Sequence, residues 1–314
     1  MGEVAAEITL GPVLFNWRPE QWRDFYFRIA DEAPVGSVYL GEVICSKRAP
    51  LFAAHYETVA ERLRAAGKTV VFSTLAEVTQ MLDRDLVESV CSLDYLIEAN
   101  DASALPPLQG RPHHIGPLMN VYNERSVALL SRGGARNFCL PVEMPARTIR
   151  ALCRETQSLD VTFEVLVFGR MPLALSARCY HARAHGRTKD SCRFVCEEDA
   201  DGLELRTLGG QPFLAVNGVQ TLSYDFLNLI ERVEELRDMG VSRFRLSPHS
   251  CDMVRVATAF RGLLDRVLTV NEAAEALREI TLPGPYSNGF YYGKDAFRRN
   301  NAADQLGRAP SGGI

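Results

Sequence analysis

The chain has 314 residues, 46% of them hydrophobic and 24% charged, a balance that can bury a large core without disulfide staples. Its 35 basic and 39 acidic residues leave a net charge of −4, which argues against a general electrostatic grip on nucleic acid or an anionic membrane. The opening MGEVAAEITLGPVLF lacks a secretory pattern, and apolar runs such as FEVLVF (163–168) are far too short to cross a bilayer, so a cytoplasmic location is expected.

A unit of strand, turn and amphipathic helix recurs along the chain. EITLGPVL (7–14) predicts the first strand, followed by a helix over PEQWRDFYFRIADEA. VYLGEVIC (38–45) precedes a helix around AHYETVAERLRAAG, and KTVVFST (68–74) precedes LAEVTQMLDRD. DYLIEAN (94–100) and HIGPLMNVY (114–122) supply two more strands, the latter leading to ERSVALLSRGG. NFCLPVEM (137–144) leads to a helix near ARTIRALCRETQ. VTFEVLVFGRMPLALS (161–176) reads as a seventh strand with an extended exit, and SRFRLSPH (242–249) as an eighth, before a helix through Met253–Val267.

Strands alternating with helices imply parallel pairing, and eight such units favour a closed α/β fold, a (β/α)8 TIM-like barrel. An open Rossmann-like sheet is the alternative, but no G-x-G-x-x-G follows the first strand. The expected organisation is a single barrel domain over 1–297 and a flexible polar tail over 298–314. A long insertion, approximately 177–222, follows the seventh strand, and insertions of that length usually carry function. It holds a cysteine segment and a hairpin over LELRTLGGQPFLAVN; an amphipathic helix is expected next, over YDFLNLIERVEELRDM (224–239).

The cysteine segment is SARCYHARAHGRTKDSCRFVCEE (176–198), which places Cys179, Cys192 and Cys196 in one hydrophilic stretch. In a reducing compartment such a group points to metal binding or catalysis rather than to disulfides. Three thiolates do not complete a four-cysteine site. In a barrel the fourth is at hand: Cys45 ends the second strand, and the 179–196 loop leaves the same carboxyl face from the seventh. Zinc and an iron–sulfur cluster both suit four thiolates, and the flanking Arg178, Arg183, Arg187, Lys189 and Arg193 favour the thiolate form with either. The competing readings are incidental loop cysteines, or a catalytic thiol partnered by His181 or His185. Cys91, Cys139, Cys153 and Cys251 read as packed small side chains.

The strings LGPVLFNW, YLGEVICSKR, ARCYHAR…KDSCRFVC, FLAVNGVQTLS and RLSPH resemble the collagenase-like peptidase superfamily, and within it the UbiV-like branch of oxygen-independent ubiquinone biosynthesis proteins. The similarity runs from about Thr9 to Phe290. It implies one 4Fe-4S cluster on four cysteines, which fall here on Cys45, Cys179, Cys192 and Cys196. It also implies a heterodimer with a sister UbiU-like barrel subunit, hydroxylation of the aromatic ring of ubiquinone precursors without oxygen, and a lipid-binding protein that presents the prenylated substrate. Two histidines between Cys179 and Cys192, and the C-terminal NGFYYGKDAF, depart from the branch's pattern.

Polar residues at the predicted strand ends are the candidates for a substrate pocket: Glu42, Asn120, Glu143 and Arg170, with Glu98, Asn100 and His249 among their neighbours. Each has a bland alternative as a hydrogen-bonded support for a loop. No G-x-S-x-G or H-E-x-x-H motif supports hydrolysis. The adjacent His113 and His114 read as packing residues rather than a chelating pair.

Overall fold

The computed structural model describes residues 6–300. Eight parallel strands close on themselves: β1 (Glu7–Leu10), β2 (Ser37–Leu40), β3 (Thr69–Ser73), β4 (Leu96–Ala99), β5 (His113–Ile115), β6 (Ala135–Cys139), β7 (Thr162–Leu175) and β11 (Arg243–Leu246). Each neighbour pairs in sequence order, and β11 completes the ring by pairing with both β7 and β1. This is the expected TIM-like barrel. The strands are shorter than the sequence predicted, because the loops at their carboxyl ends leave the barrel early.

The surrounding helices follow from local signals. The helix Pro19–Glu32 starts on a proline suited to a first helical position and buries Trp22, Tyr26, Ile29 and Ala30 at spacings of three and four. Trp22 then packs against Phe52 and Tyr56 of the next helix, Ala49–Ala65. A helix absent from the sequence reading, Val270–Arg278, has a capping box in which Thr269 and Glu272 satisfy each other's backbone.

The strand β7 serves both the barrel and an antiparallel unit that continues the same sheet. Its first half lies in the barrel wall; its second half pairs antiparallel with β10 (Gln220–Asn228). The change of partner occurs at Gly169, whose φ of +123° is open only to glycine, and where an added Cβ would meet Ser247 Cβ at 2.6 Å. Two further strands, β8 (Leu203–Arg206) and β9 (Pro212–Asn217), extend the antiparallel unit outward from β10. Here the structure corrects the helix expected over 224–239. Residues through Asn228 are strand, and a helix runs only over Val233–Asp238. Phe226, Leu227 and Asn228 pair with Arg170, Gly169 and Phe168 of β7, and sheet pairing overrides the helical periodicity.

Of the tail expected over 298–314, residues 301–314 lie outside the described residues. Arg298 and Asn300 are tied to Asn288 by backbone and side-chain hydrogen bonds. No helix among the described residues is long and apolar enough to cross a membrane.

Candidate functional site

Two cavities lie at the carboxyl end of the barrel. The larger, about 340 Å³, is walled chiefly by apolar residues from the loops after β1, β2, β5 and β6 and from the end of β7, including Leu14, Val43, Leu118 and Leu175. Its polar lining includes Glu98, Asn100, Asn120, Glu143, Arg170 and Arg245. Three of the four sequence candidates thus reach this pocket. Glu42 does not line it. Its Oε1 accepts the backbone N–H groups of Ile44 (2.8 Å) and Cys45 (2.9 Å), so it shapes the turn that carries Cys45.

The floor of the pocket is an ionic network that the sequence reading missed. Arg245 makes a two-pronged contact with Glu164 at 3.0 and 2.9 Å and reaches Glu98 at 2.6 Å. Glu164 also accepts from Thr9, from Tyr39 at 3.0 Å and from Asn137 at 2.8 Å. These residues come from β1, β2, β4, β6, β7 and β11, so the network ties the barrel across its interior. Burial alone raises the Glu164 pKa, but Arg245 and then Arg243 outweigh it and hold the carboxyl well below its usual range. The available signal was a lone glutamate inside the apolar run TFEVLVF, which a buried strand tolerates only when paired.

Towards the rim, His249 Nε2 accepts the Arg170 backbone N–H at 3.0 Å, which leaves Nδ1 as the protonated nitrogen facing Asp201 at 3.3 Å. Tyr122 donates to Glu143, and burial together with that carboxylate raises the phenol pKa to about 12. Of the adjacent histidines, both are buried, and His114 Nδ1 contacts Tyr39 Oη at 3.0 Å, a packing role.

The second cavity is small, about 20 Å³, and all four of Cys45, Cys179, Cys192 and Cys196 line it. Cys45 caps the 3-10 turn Ser46–Arg48 beyond β2. Because β2 ends at Leu40, strand alternation does not govern the relation of Glu42 to Cys45. Cys179 caps the short helix Tyr180–Ala184, and its sulfur accepts the Ala182 N–H at 3.4 Å. Cys192 lies in a loop held by Lys47, whose Nζ donates to the carbonyls of Lys189 (2.8 Å) and Asp190 (3.2 Å) and reaches Cys192 Sγ at 3.9 Å. Between Cys192 and Cys196 the chain reverses through two consecutive left-handed residues, Arg193 (φ 48°) and Phe194 (φ 54°). Such conformations cost about 1 kcal/mol or more each and collect at functional sites.

Electrostatics at the thiols are mixed. Burial pushes the Cys45 and Cys179 thiols up, opposed respectively by Arg48 and by the Ala182 N–H. Arg48 is itself 1% exposed and lines the same cavity. Both ring nitrogens of His181 face oxygen acceptors, Asp199 at 2.9 Å and the Val216 carbonyl at 3.2 Å, so His181 has none left for a thiol. His185 turns Nδ1 to the His181 carbonyl at 3.0 Å.

A secondary apolar cluster of Val43, Ile44 and Val219 has Leu14, Leu118, Leu175 and Cys179 packed on it. Four of these residues line the barrel pocket and Cys179 lines the cysteine cavity, so the cluster borders both. Among the described residues no three His, Cys, Asp or Glu side chains stand in the arrangement of a single-ion site. Of the remaining cysteines, Cys139 is buried at the end of β6 and contributes to the pocket wall, while Cys91 and Cys153 are buried in helices.

Among solved structures, this chain is similar to a phospho-2-dehydro-3-deoxyheptonate aldolase from Thermotoga maritima, at 11% identity over 91% of this chain and 73% of the aldolase, with a TM-score of 0.44. An enolase described as a putative galactarate dehydratase, from Agrobacterium radiobacter, is 15% identical over 52% of this chain with a TM-score of 0.36; the match spans 46% of the enolase's length. The GH99 endo-alpha-mannosidase from Bacteroides thetaiotaomicron is 8% identical over 73% of this chain and 65% of its own, with a TM-score of 0.38. The family model described as Peptidase family U32 matches residues 17–301, nearly the whole described chain, and the protein therefore belongs to peptidase family U32.

Proposed function

We propose that this protein is a 4Fe-4S barrel subunit that acts with a sister UbiU-like barrel in the oxygen-independent hydroxylation of ubiquinone precursors, with Cys45, Cys179, Cys192 and Cys196 as cluster ligands. The observation that carries the reading is the convergence of these four cysteines, from two remote segments, on one cavity beside the barrel pocket. Four thiols are a donor set that iron–sulfur clusters and zinc both accept. A tetrahedral zinc needs its sulfurs within about 4 Å of one another, from a Zn–S bond of about 2.3 Å. A cluster spreads its thiolates over separate irons, which suits thiols that share a cavity without closing on one point. At about 20 Å³ the cavity holds little more than a water, so loading requires the loop bearing Cys192 and Cys196 to give way. When bound, a cluster of this kind supplies one-electron transfer. Lys47 and Arg48 offset negative charge on the thiolates, and the apolar cluster bordering both cavities limits water there. The pocket's mostly apolar wall over a polar floor suits an aromatic ring with an apolar substituent, such as a prenylated precursor presented by a lipid-binding protein.

The family's description favours a second reading, peptide hydrolysis. The oxygen-bound nitrogens of His181 speak against a Cys–His pair in this cavity. Anaerobic purification with iron and sulfide assay, and EPR after reduction, tests the first reading. Stoichiometric iron and sulfide lost in each single Cys→Ala variant is the expected result. Zinc without sulfide, or full iron content in Cys45→Ala, refutes it. Cleavage of peptides by the isolated chain favours the second.

A further inference from the structure

Arg48 is joined to the barrel pocket through the side chains of Asn217 and Gln220. Its Nη1 donates to the Leu14 carbonyl at 3.0 Å and its Nη2 to Asn217 Oδ1 at 3.0 Å. Asn217 Nδ2 donates to the same Leu14 carbonyl at 2.7 Å and to Gln220 Oε1 at 3.4 Å. Asn217 and Gln220 face each other across the turn between β9 and β10. Gly218 within that turn has a φ of +63°, and an added Cβ would lie 2.8 Å from Arg48 Nη2. The turn is therefore moulded on the guanidinium.

A guanidinium has donors only. It fixes Asn217 with its oxygen toward Arg48, and so with its nitrogen toward Gln220. Gln220 must then present its oxygen to Asn217, which leaves Nε2 as the free end. Gln220 is 0% exposed and lines the 340 Å³ pocket, and Nε2 has no hydrogen-bond partner among the described residues. A buried amide donor without an acceptor carries a desolvation cost that a bound oxygen would recover. The same pocket is lined by the apolar Leu14, Val43, Leu118 and Leu175.

We propose that Gln220 is a ligand-binding residue of the barrel pocket, donating its Nε2–H to an oxygen acceptor on an otherwise apolar ring, and that Asn217 and Arg48 link this hydrogen bond to the four-cysteine cavity. The link rests on the cluster reading; the binding role does not. Occupancy of the pocket draws on the Gln220 amide, Asn217 shifts with it, and the position of the Arg48 charge relative to the thiolates changes.

The test uses 4-hydroxybenzoate as probe and the full chain, under anaerobic conditions. Calorimetry on the metal-free protein is expected to show binding by the wild type. Gln220→Leu, of similar size without the donor, is expected to raise Kd about five- to tenfold. Asn217→Asp removes the donor that orients Gln220, turns the Gln220 oxygen to the pocket, and is expected to weaken the probe at least as much. It stands in if Gln220→Leu fails to fold. After reconstitution with iron and sulfide, an EPR-monitored redox titration is expected to show a midpoint potential that moves on probe saturation in the wild type and not in Gln220→Leu. No binding by the wild type, or the same Kd in wild type and variants, overturns the ligand role. An equal shift in potential in both proteins overturns the link. Failure of the wild type to take up iron and sulfide refutes the cluster reading and the link with it, while calorimetry still decides the ligand role.

Discussion

The variant Arg245→Met removes the cation that joins Glu164 and Glu98 at the barrel floor. Arg245 is 4% exposed, Glu164 0% and Glu98 1%, so none of the three recovers hydration when a partner is lost. Removing one member of a buried ion pair costs about 3–5 kcal/mol, because the charge left behind has no solvent. Two carboxylates are stranded here, but one can take a proton, so we expect about 4–5 kcal/mol rather than twice the single figure. Against a typical total of about 5–15 kcal/mol this is a large fraction. Urea unfolding followed by circular dichroism at pH 7.5 should show a midpoint lower by about 1 M or more.

The pH dependence gives a second check on the same network. In the wild type the Glu164 pKa is held down, so its contribution is present above the unfolded carboxylate value of about 4.3 and is lost as the pH falls through that value toward the folded one. In Arg245→Met burial dominates and the folded pKa rises above the unfolded one, so the variant should gain stability as the pH drops from 8 to 5.5. Glu164→Gln combined with Arg245→Met should be less destabilised than the sum of the single variants. A midpoint shift worth under about 1 kcal/mol, or a variant whose stability falls between pH 8 and 5.5, would refute the claim that this network bears the barrel's interior.

Other outcomes follow from single contacts. Gly169→Ala forces a side chain into a φ of +123° and against Ser247, and should cost about 2–3 kcal/mol in thermal or urea unfolding, where a helix-surface Gly→Ala would be neutral or stabilising. Glu143→Gln should bring the Tyr122 phenol down from about 12 while burial keeps it above the ordinary 10, read by ultraviolet titration. Lys47→Met cuts the ties to the Lys189 and Asp190 carbonyls and should speed proteolysis within 185–195, with the barrel itself intact.

All eight barrel strands were legible because β-branched runs alternate with helical ones, and parallel pairing needs no further information. The cysteines were legible as a group from their spacing, and their meeting with Cys45 from the shared face of barrel strand ends. The strand at 224–228 was not. The residues YDFLN precede IERVEELRDM, and the helical period of the second part masks the first. What decides the matter is a backbone edge offered by the far half of β7, which no local window contains. Val270–Arg278 was readable from Thr269 and Glu272, whose spacing is that of a capping box. Glu42 illustrates a different gap: proximity to Cys45 was visible in the sequence, but the turn's shape, not its composition, sets the carboxylate on the Ile44 and Cys45 amides.

The double membership of β7 limits how the cysteine-bearing excursion can be handled as a part. Its hairpins begin by adding to the projecting end of a barrel stave, so excised from this chain they would keep their turns and lose the edge they build on. Grafting them onto another barrel would require transplanting that long stave and the glycine at its bend as well.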